Sequence, residues 1–177
     1  MKFLFSLLFF VSGIAHAANL TESQLTSWFS ASKQLLPVIE QIEQENTFQD
    51  INNPSQFADE MASQLSRSSK SDEVTAILSK HDLNIESWAQ TTEQVVFAAM
   101  AASTEDNMAQ LEQYKTMKQE LLDNPELSAE QKQQMLQMFE VSDQWITQLE
   151  AVSQSDIDLV KPHLDKFNQE LGWDLDD

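Results

Sequence analysis

The sequence predicts an all-α fold: a compact single-domain bundle of about five to seven helices behind a cleaved signal peptide. Three observations point there: scarce glycine, a recurring grammar of helix starts, and apolar residues at helical spacing. The 177-residue chain holds two glycines, Gly13 and Gly172. Gly13 lies in the leader, so Gly172 stands alone in the mature chain. Tight β-hairpins and phosphate-cradling loops both need glycine for positive φ or close backbone approach. Hairpin-rich β folds and the Gly-rich nucleotide motifs are therefore disfavoured. The residues that dominate instead (Gln, Glu, Ala, Leu, Ser and Met) mostly tolerate helices.

The leader comes first. Met1-Lys2 gives a positive start, Phe3 to Ile14 is an almost unbroken apolar run, and Ala15-His16-Ala17 sets small residues where a signal peptidase reads. The run is too short to span a bilayer. Cleavage between Ala17 and Ala18 is expected, giving a signal peptide at 1–17 and an acidic helical domain at 18–177 in the periplasm or secreted. The chain has no cysteine, so it forms no disulfide and carries no lipid through a cysteine. Its fold must rest on its core.

The elements follow in order. Thr21 and Gln24 form a capping box, with Leu20 and Leu25 as its hydrophobic staple. The helix they open, about 22–44, carries Leu25, Trp28, Phe29, Leu35, Ile39 and Ile42 on one side, and Pro37 should kink it. A polar loop covers 45–53. Asn53-Pro54 then caps a short helix with Phe57, Met61 and Leu65. The run Ser66-Arg67-Ser68-Ser69-Lys70-Ser71 is a break, and the only basic-leaning stretch. Asp72 and Glu73 favour the positive first turn of a second short helix with Val74, Ile77 and Leu78.

Leu83 and Trp88 staple the next start around Asn84. That long helix carries Val95, Val96, Ala99 and Met100, and its stripe changes face near Thr104–Asn107, where a bend or break is expected. Met108, Leu111, Leu121 and Leu122 continue to the stop at Asn124-Pro125. Ser128 and Gln131 make a second capping box before a helix lined by Met135, Phe139, Ile146 and Leu149. The last helix begins around Ser155-Asp156 and holds Ile157, Val160, Leu164, Phe167 and Leu171, with Pro162 disturbing its first turns. Residues 173–177 form a frayed acidic tail. The expected core is Leu25, Trp28, Trp88, Val95, Phe139, Trp145 and Leu149.

Charge narrows the partners. Removing Lys2 leaves nine basic against 29 acidic residues, a formal charge of 9 − 29 = −20. Such a surface repels nucleic acid and anionic lipid, and it serves solubility as well as any cationic partner.

The catalytic candidates are thin. Ser30-Ala31-Ser32-Lys33 has the S-x-x-K spacing of penicillin-interacting serine enzymes, but no Lys-Thr-Gly or Ser-Asp-Asn follows. A surface helix explains it. His81 and His163 survive maturation, and neither shows the Glu-x-x-His or His-Glu-x-x-His spacing of a metal site. Asp156-Ile157-Asp158 and Asp174-Leu175-Asp176 begin a calcium-loop pattern without completing it. No catalytic, cofactor-binding or metal-ligating residue is assigned. Trp173, beside the tail, could cover the bundle or meet a partner, and Met100, Met108, Met135 and Met138 suit either gap filling or an adaptable groove.

Leu20-Thr21-Glu22-Ser23-Gln24 resembles the L-T-x-x-Q pentapeptide of the small Spy-type periplasmic chaperones, and Leu127-Ser128-Ala129-Glu130-Gln131 nearly repeats it. The resemblance spans ten residues. It implies an exported, all-helical protein that binds unfolded clients without ATP. The sequence thus points to non-catalytic binding of another periplasmic protein, of chaperone or adaptor type and with a basic partner favoured. An acidic carrier of a cation or small ligand is the alternative, and an unrecognised hydrolase the third reading.

Overall fold

The computed structural model describes residues 19–45, 53–105 and 108–172. The expected signal peptide, most of the 45–53 loop and the acidic tail with Trp173 lie outside the described residues. Those described form helices and no strand: α1 (Glu22–Gln44), α2 (Phe57–Arg67), α3 (Ser71–Ser79), α4 (Ile85–Glu105), α5 (Met108–Asp123), α6 (Ala129–Ala151), α7 (Gln154–Val160) and α8 (Leu164–Leu171). A 3₁₀ turn at Pro54–Gln56 leads into α2, and another at Lys161–His163 joins α7 to α8. Pro162 divides what the sequence suggested as one last helix, because proline leaves a backbone donor out of the ladder. None of the described helices is long and apolar enough to cross a membrane.

Cap chemistry sets the helix starts. The Thr21 hydroxyl accepts from the Gln24 amide at 3.3 Å, and the Gln24 side chain accepts from the Thr21 amide at 3.0 Å. Ser128 and Gln131 repeat this box at α6, at 3.2 and 2.9 Å. At α4 the Asn84 side chain accepts from the Ser87 amide at 2.8 Å, while the Ser87 hydroxyl accepts from the Asn84 amide at 3.0 Å. Each box satisfies donors that the helix leaves orphaned. The cap of α7 is Ser153, whose hydroxyl accepts from the Asp156 amide at 3.2 Å. The sequence reading starts this helix two residues later, at Ser155, since Ser153 and Ser155 are both acceptable caps. Asp156 does sit in the first turn and also holds the segment leading into α1, accepting from the Leu20 amide at 2.7 Å. Gly172 closes α8 in the left-handed region at φ 68°, the conformation that favours glycine at a helix C-terminus.

One main core joins α1–α4, α7 and α8. Trp28, Leu35, Ile42, Leu65, Val74, Leu78, Val95, Val160 and Phe167 are fully enclosed in it. α4 runs through the middle, where the small side chains Ala89, Ala98 and Ala99 let its neighbours approach closely. α1 continues as one helix through Pro37, which faces solvent. The bend expected at Thr104–Asn107 falls where α4 gives way to α5, and residues 106–107 lie outside the described set.

Leu25, Trp28, Trp88 and Val95 are buried as expected. Phe139, Trp145 and Leu149 are not: all three are only half-buried. The reason is topological. Among the described residues, no side chain of α5 or α6 belongs to the main core. α6 meets α5, α4 and the turn at Pro54–Gln56, while Gln137, Glu140, Val141 and Gln144 stay in water.

Candidate functional site

The hairpin formed by α5 and α6 stands out from the core and carries the apolar surface that the fold leaves exposed. It is anchored at one end. Trp145 packs against Phe97 of α4 with ring centroids 5.5 Å apart, and Phe97 meets Phe57 of α2 at 6.2 Å. Leu149 packs on a small second cluster of Ala101, Ala102 and Ile157. Beyond that anchor, α5 is held by α6.

The hairpin is closed by polar contacts along its seam. The rings of Tyr114 and Phe139 meet edge to face at 5.5 Å. The Tyr114 hydroxyl donates to the Asp143 carboxylate at 3.0 Å and to the Phe139 carbonyl at 3.3 Å. Burial of the phenol, then the adjoining Asp143 carboxylate, pushes its pKa above the ordinary tyrosine value. Lys118 pairs with the other Asp143 oxygen. Lys115 pairs with Glu150 at 2.8 Å and reaches Glu112 at 3.9 Å, and the Glu150 hydrogen bond raises its pKa. Lys132 donates to the Leu122 carbonyl near the tip.

These contacts use all three lysines of the hairpin inside it. Glu120, Glu126, Glu130 and Glu140 are left with no cation within 4 Å among the described residues, so the outward field is acidic. Within that field stand Met117, Leu122, Met135 and Val141, at 49%, 37%, 37% and 53% exposure. They are the exposed large apolar side chains among the described residues, and all four lie on this hairpin.

Helical phase arranges them. Met135, Phe139, Ile146 and Leu149 fall within about 80° of one another on α6, a single stripe running from the anchor toward the tip. Met117 is one turn tipward of Tyr114 on α5, and Met135 one turn tipward of Phe139 on α6. Because Tyr114 and Phe139 touch and the helices are antiparallel, the two methionines stand at one level. Val141 lies about 120° round α6 from the middle of the stripe.

The catalytic and metal candidates do not come together. The Ser30 hydroxyl donates to the Thr26 carbonyl at 2.9 Å, while Lys33 pairs with Glu170. That pairing, chiefly the hydrogen bond, lowers the Glu170 pKa. His81 bonds the Gln34 side chain at 2.8 Å. His163 stacks on Phe167 at 6.1 Å, beside a cleft of about 100 Å³ where Lys166 sits 4.0 Å above the Phe29 ring. Asp156 holds Leu20, and Asp158 accepts from Gln154. Asp174 and Asp176 lie outside the described residues. No group of three or more acidic or histidine side chains among the described residues is placed to hold a metal ion.

The hairpin was not singled out in the sequence. Tyr114, Met117, Leu121 and Leu122 fall on one arc of about 140° of α5, a pattern that a core-facing helix shows equally, so nothing in the sequence sets the hairpin apart. Comparison of the chain with protein-family models, with curated proteins and with solved structures gives no match.

Proposed function

We propose that this chain is an exported, non-catalytic binding protein that works in the periplasm or outside the cell and engages another protein through the α5–α6 hairpin. The observation that carries this reading is that Met117, Leu122, Met135 and Val141, the exposed large apolar side chains among the described residues, all lie on that one hairpin. Exposed apolar area is costly in water and marks contact surfaces when it is concentrated rather than scattered. Methionine suits such a surface, since its flexible thioether adapts to varied partners.

Site-specific photocrosslinking tests it. A photoreactive residue at Met117 or Met135 should trap the same partner in the exported compartment, without added nucleotide or metal. The same residue at Gln41, exposed on α1, should trap none. Equal adducts at Gln41, or a single-residue substitution that abolishes turnover of an ester, peptide or glycan, would contradict the reading.

A further inference from the structure

We infer that Met117 and Met135 are paired oxidation sites for hydrogen peroxide, and that their sulfoxides switch partner binding off while the core stays intact. This rests on the binding role proposed above.

Solvent access singles the pair out. Of the methionines whose side chains are described, Met61 on α2 and Met100 on α4 are half-buried, whereas Met117 and Met135 are exposed. The chain has no cysteine, so no thiol of its own competes for the oxidant and thioethers are its only reactive sulfur. Exported compartments are oxidising. Hydrogen peroxide is uncharged, so the acidic field of the hairpin does not hold it off.

The chemistry favours an open site. The thioether sulfur attacks one peroxide oxygen, and an S–O bond forms as the O–O bond breaks. The electron pair passes from sulfur to the departing oxygen, which collects the remaining proton and leaves as water. The thioether is oxidised to the sulfoxide and the peroxide is reduced. Charge develops on the departing oxygen, so a sulfur reached by water reacts ahead of an enclosed one.

Position gives the reaction its consequence. The two methionines stand at one level on α5 and α6, among the four exposed apolar side chains that carry the binding role. A sulfoxide is polar and chiral, and it cannot make the adaptable apolar contact of a thioether. Neither residue belongs to the buried clusters of the described residues. The contacts along the hairpin seam are made by Tyr114, Phe139, Asp143, Lys118, Lys115 and Glu150. Oxidation therefore changes the polarity of the surface and leaves the packing beneath it in place.

The test begins with the purified full chain in hydrogen peroxide. Tandem mass spectrometry should find Met117 and Met135 largely converted while Met61 and Met100 remain largely thioether, with circular dichroism unchanged. Methionine sulfoxide reductases, one for each epimer, should return both to thioether. The binding arm places a photoreactive residue at Leu122 in cells, which leaves both methionines in the chain. Peroxide should cut the partner adduct at least about 5-fold, as loss of hot-spot contacts would. Met117→Leu/Met135→Leu keeps apolar volume and should hold its adduct within about 2-fold with or without peroxide. Met117→Gln/Met135→Gln, polar without any oxidant, should give the low yield from the start.

Conversion of Met61 or Met100 ahead of the hairpin pair would overturn the inference. So would loss of helicity on oxidation, or an unchanged adduct from a parent chain with both methionines oxidised. An equal fall in the leucine variant would place the damage elsewhere, and a parent-like adduct from the glutamine variant would make the thioethers dispensable; either result ends the inference and leaves the binding role standing. A parent that forms no adduct at Met117, Met135 or Leu122 before peroxide is added would refute the binding role, and the switch with it.

Discussion

Trp28 and Trp88 clasp one another's helices. The Trp28 indole N–H donates to Thr92 at 2.8 Å, and the Trp88 indole N–H donates to Ser32 at 3.0 Å. Each hydroxyl lies four residues beyond the opposite tryptophan, so α1 and α4 present the same Trp-x-x-x-hydroxyl unit to each other. Thr92 passes its own proton to the Trp88 carbonyl at 2.8 Å. All four side chains are buried. Buried indoles need a partner, and here the satisfied pair fixes the register of the two central helices.

That clasp sets a cost. Thr92→Val keeps the shape and strands the Trp28 N–H, which should destabilise the fold by about 1–3 kcal/mol. Thr92→Ser, which keeps the hydroxyl, should cost under about 1 kcal/mol. Urea unfolding distinguishes them, and equal losses would mean the hydrogen bond contributes nothing beyond packing.

Burial orders the aromatic substitutions. Trp28→Ala in the enclosed core should cost about 3–5 kcal/mol. Phe139→Ala on the half-buried hairpin should cost less, about 1–2 kcal/mol, in proportion to the area it hides. Chemical denaturation of both variants checks the ranking, and its reversal would place the hairpin inside the core.

Glu93 gives a pH dependence with a definite sign. Its carboxyl on α4 is half-buried, and burial first, then the Asp59 carboxylate on α2, raises its pKa. The folded state therefore holds this proton more tightly than the unfolded chain does. The stability linked to it is full below the unfolded carboxyl value and is lost as pH rises through the raised folded one. Glu93→Gln should thus melt higher than the parent at pH 7, with the gap closing as pH falls toward about 4. A gap that does not change between these pH values, or a less stable variant at neutral pH, would show that Glu93 is not strained by its charge.

Much of the fold was legible because helix starts carry their own chemistry. Thr21 with Gln24, Ser128 with Gln131, and Asn84 before Ile85 each satisfy local donors, so short stretches of sequence suffice to place them. Ser153 escaped because two serines near Asp156 could do the same work, and only the observed contact chooses. Burial was legible for α1 and α4, where apolar residues recur on a face that other helices cover. It failed at Phe139, Trp145 and Leu149. Periodicity tells which residues share a face, but not whether anything covers that face. The hairpin's apolar stripe reads like a core stripe in the sequence, and only the arrangement of α4, α5 and α6 shows it half open.

The hairpin as the binding element is the central claim, and hydrogen exchange tests it most directly. In the free protein, α5 and α6 should exchange ahead of α1 and α4, since few buried apolar contacts hold them. Addition of a reduced, unfolded client protein of net positive charge should slow exchange across 112–146 and leave α1 and α8 unchanged. Protection centred on α1 and α8 around Phe29 and His163, with none on the hairpin, would contradict the account.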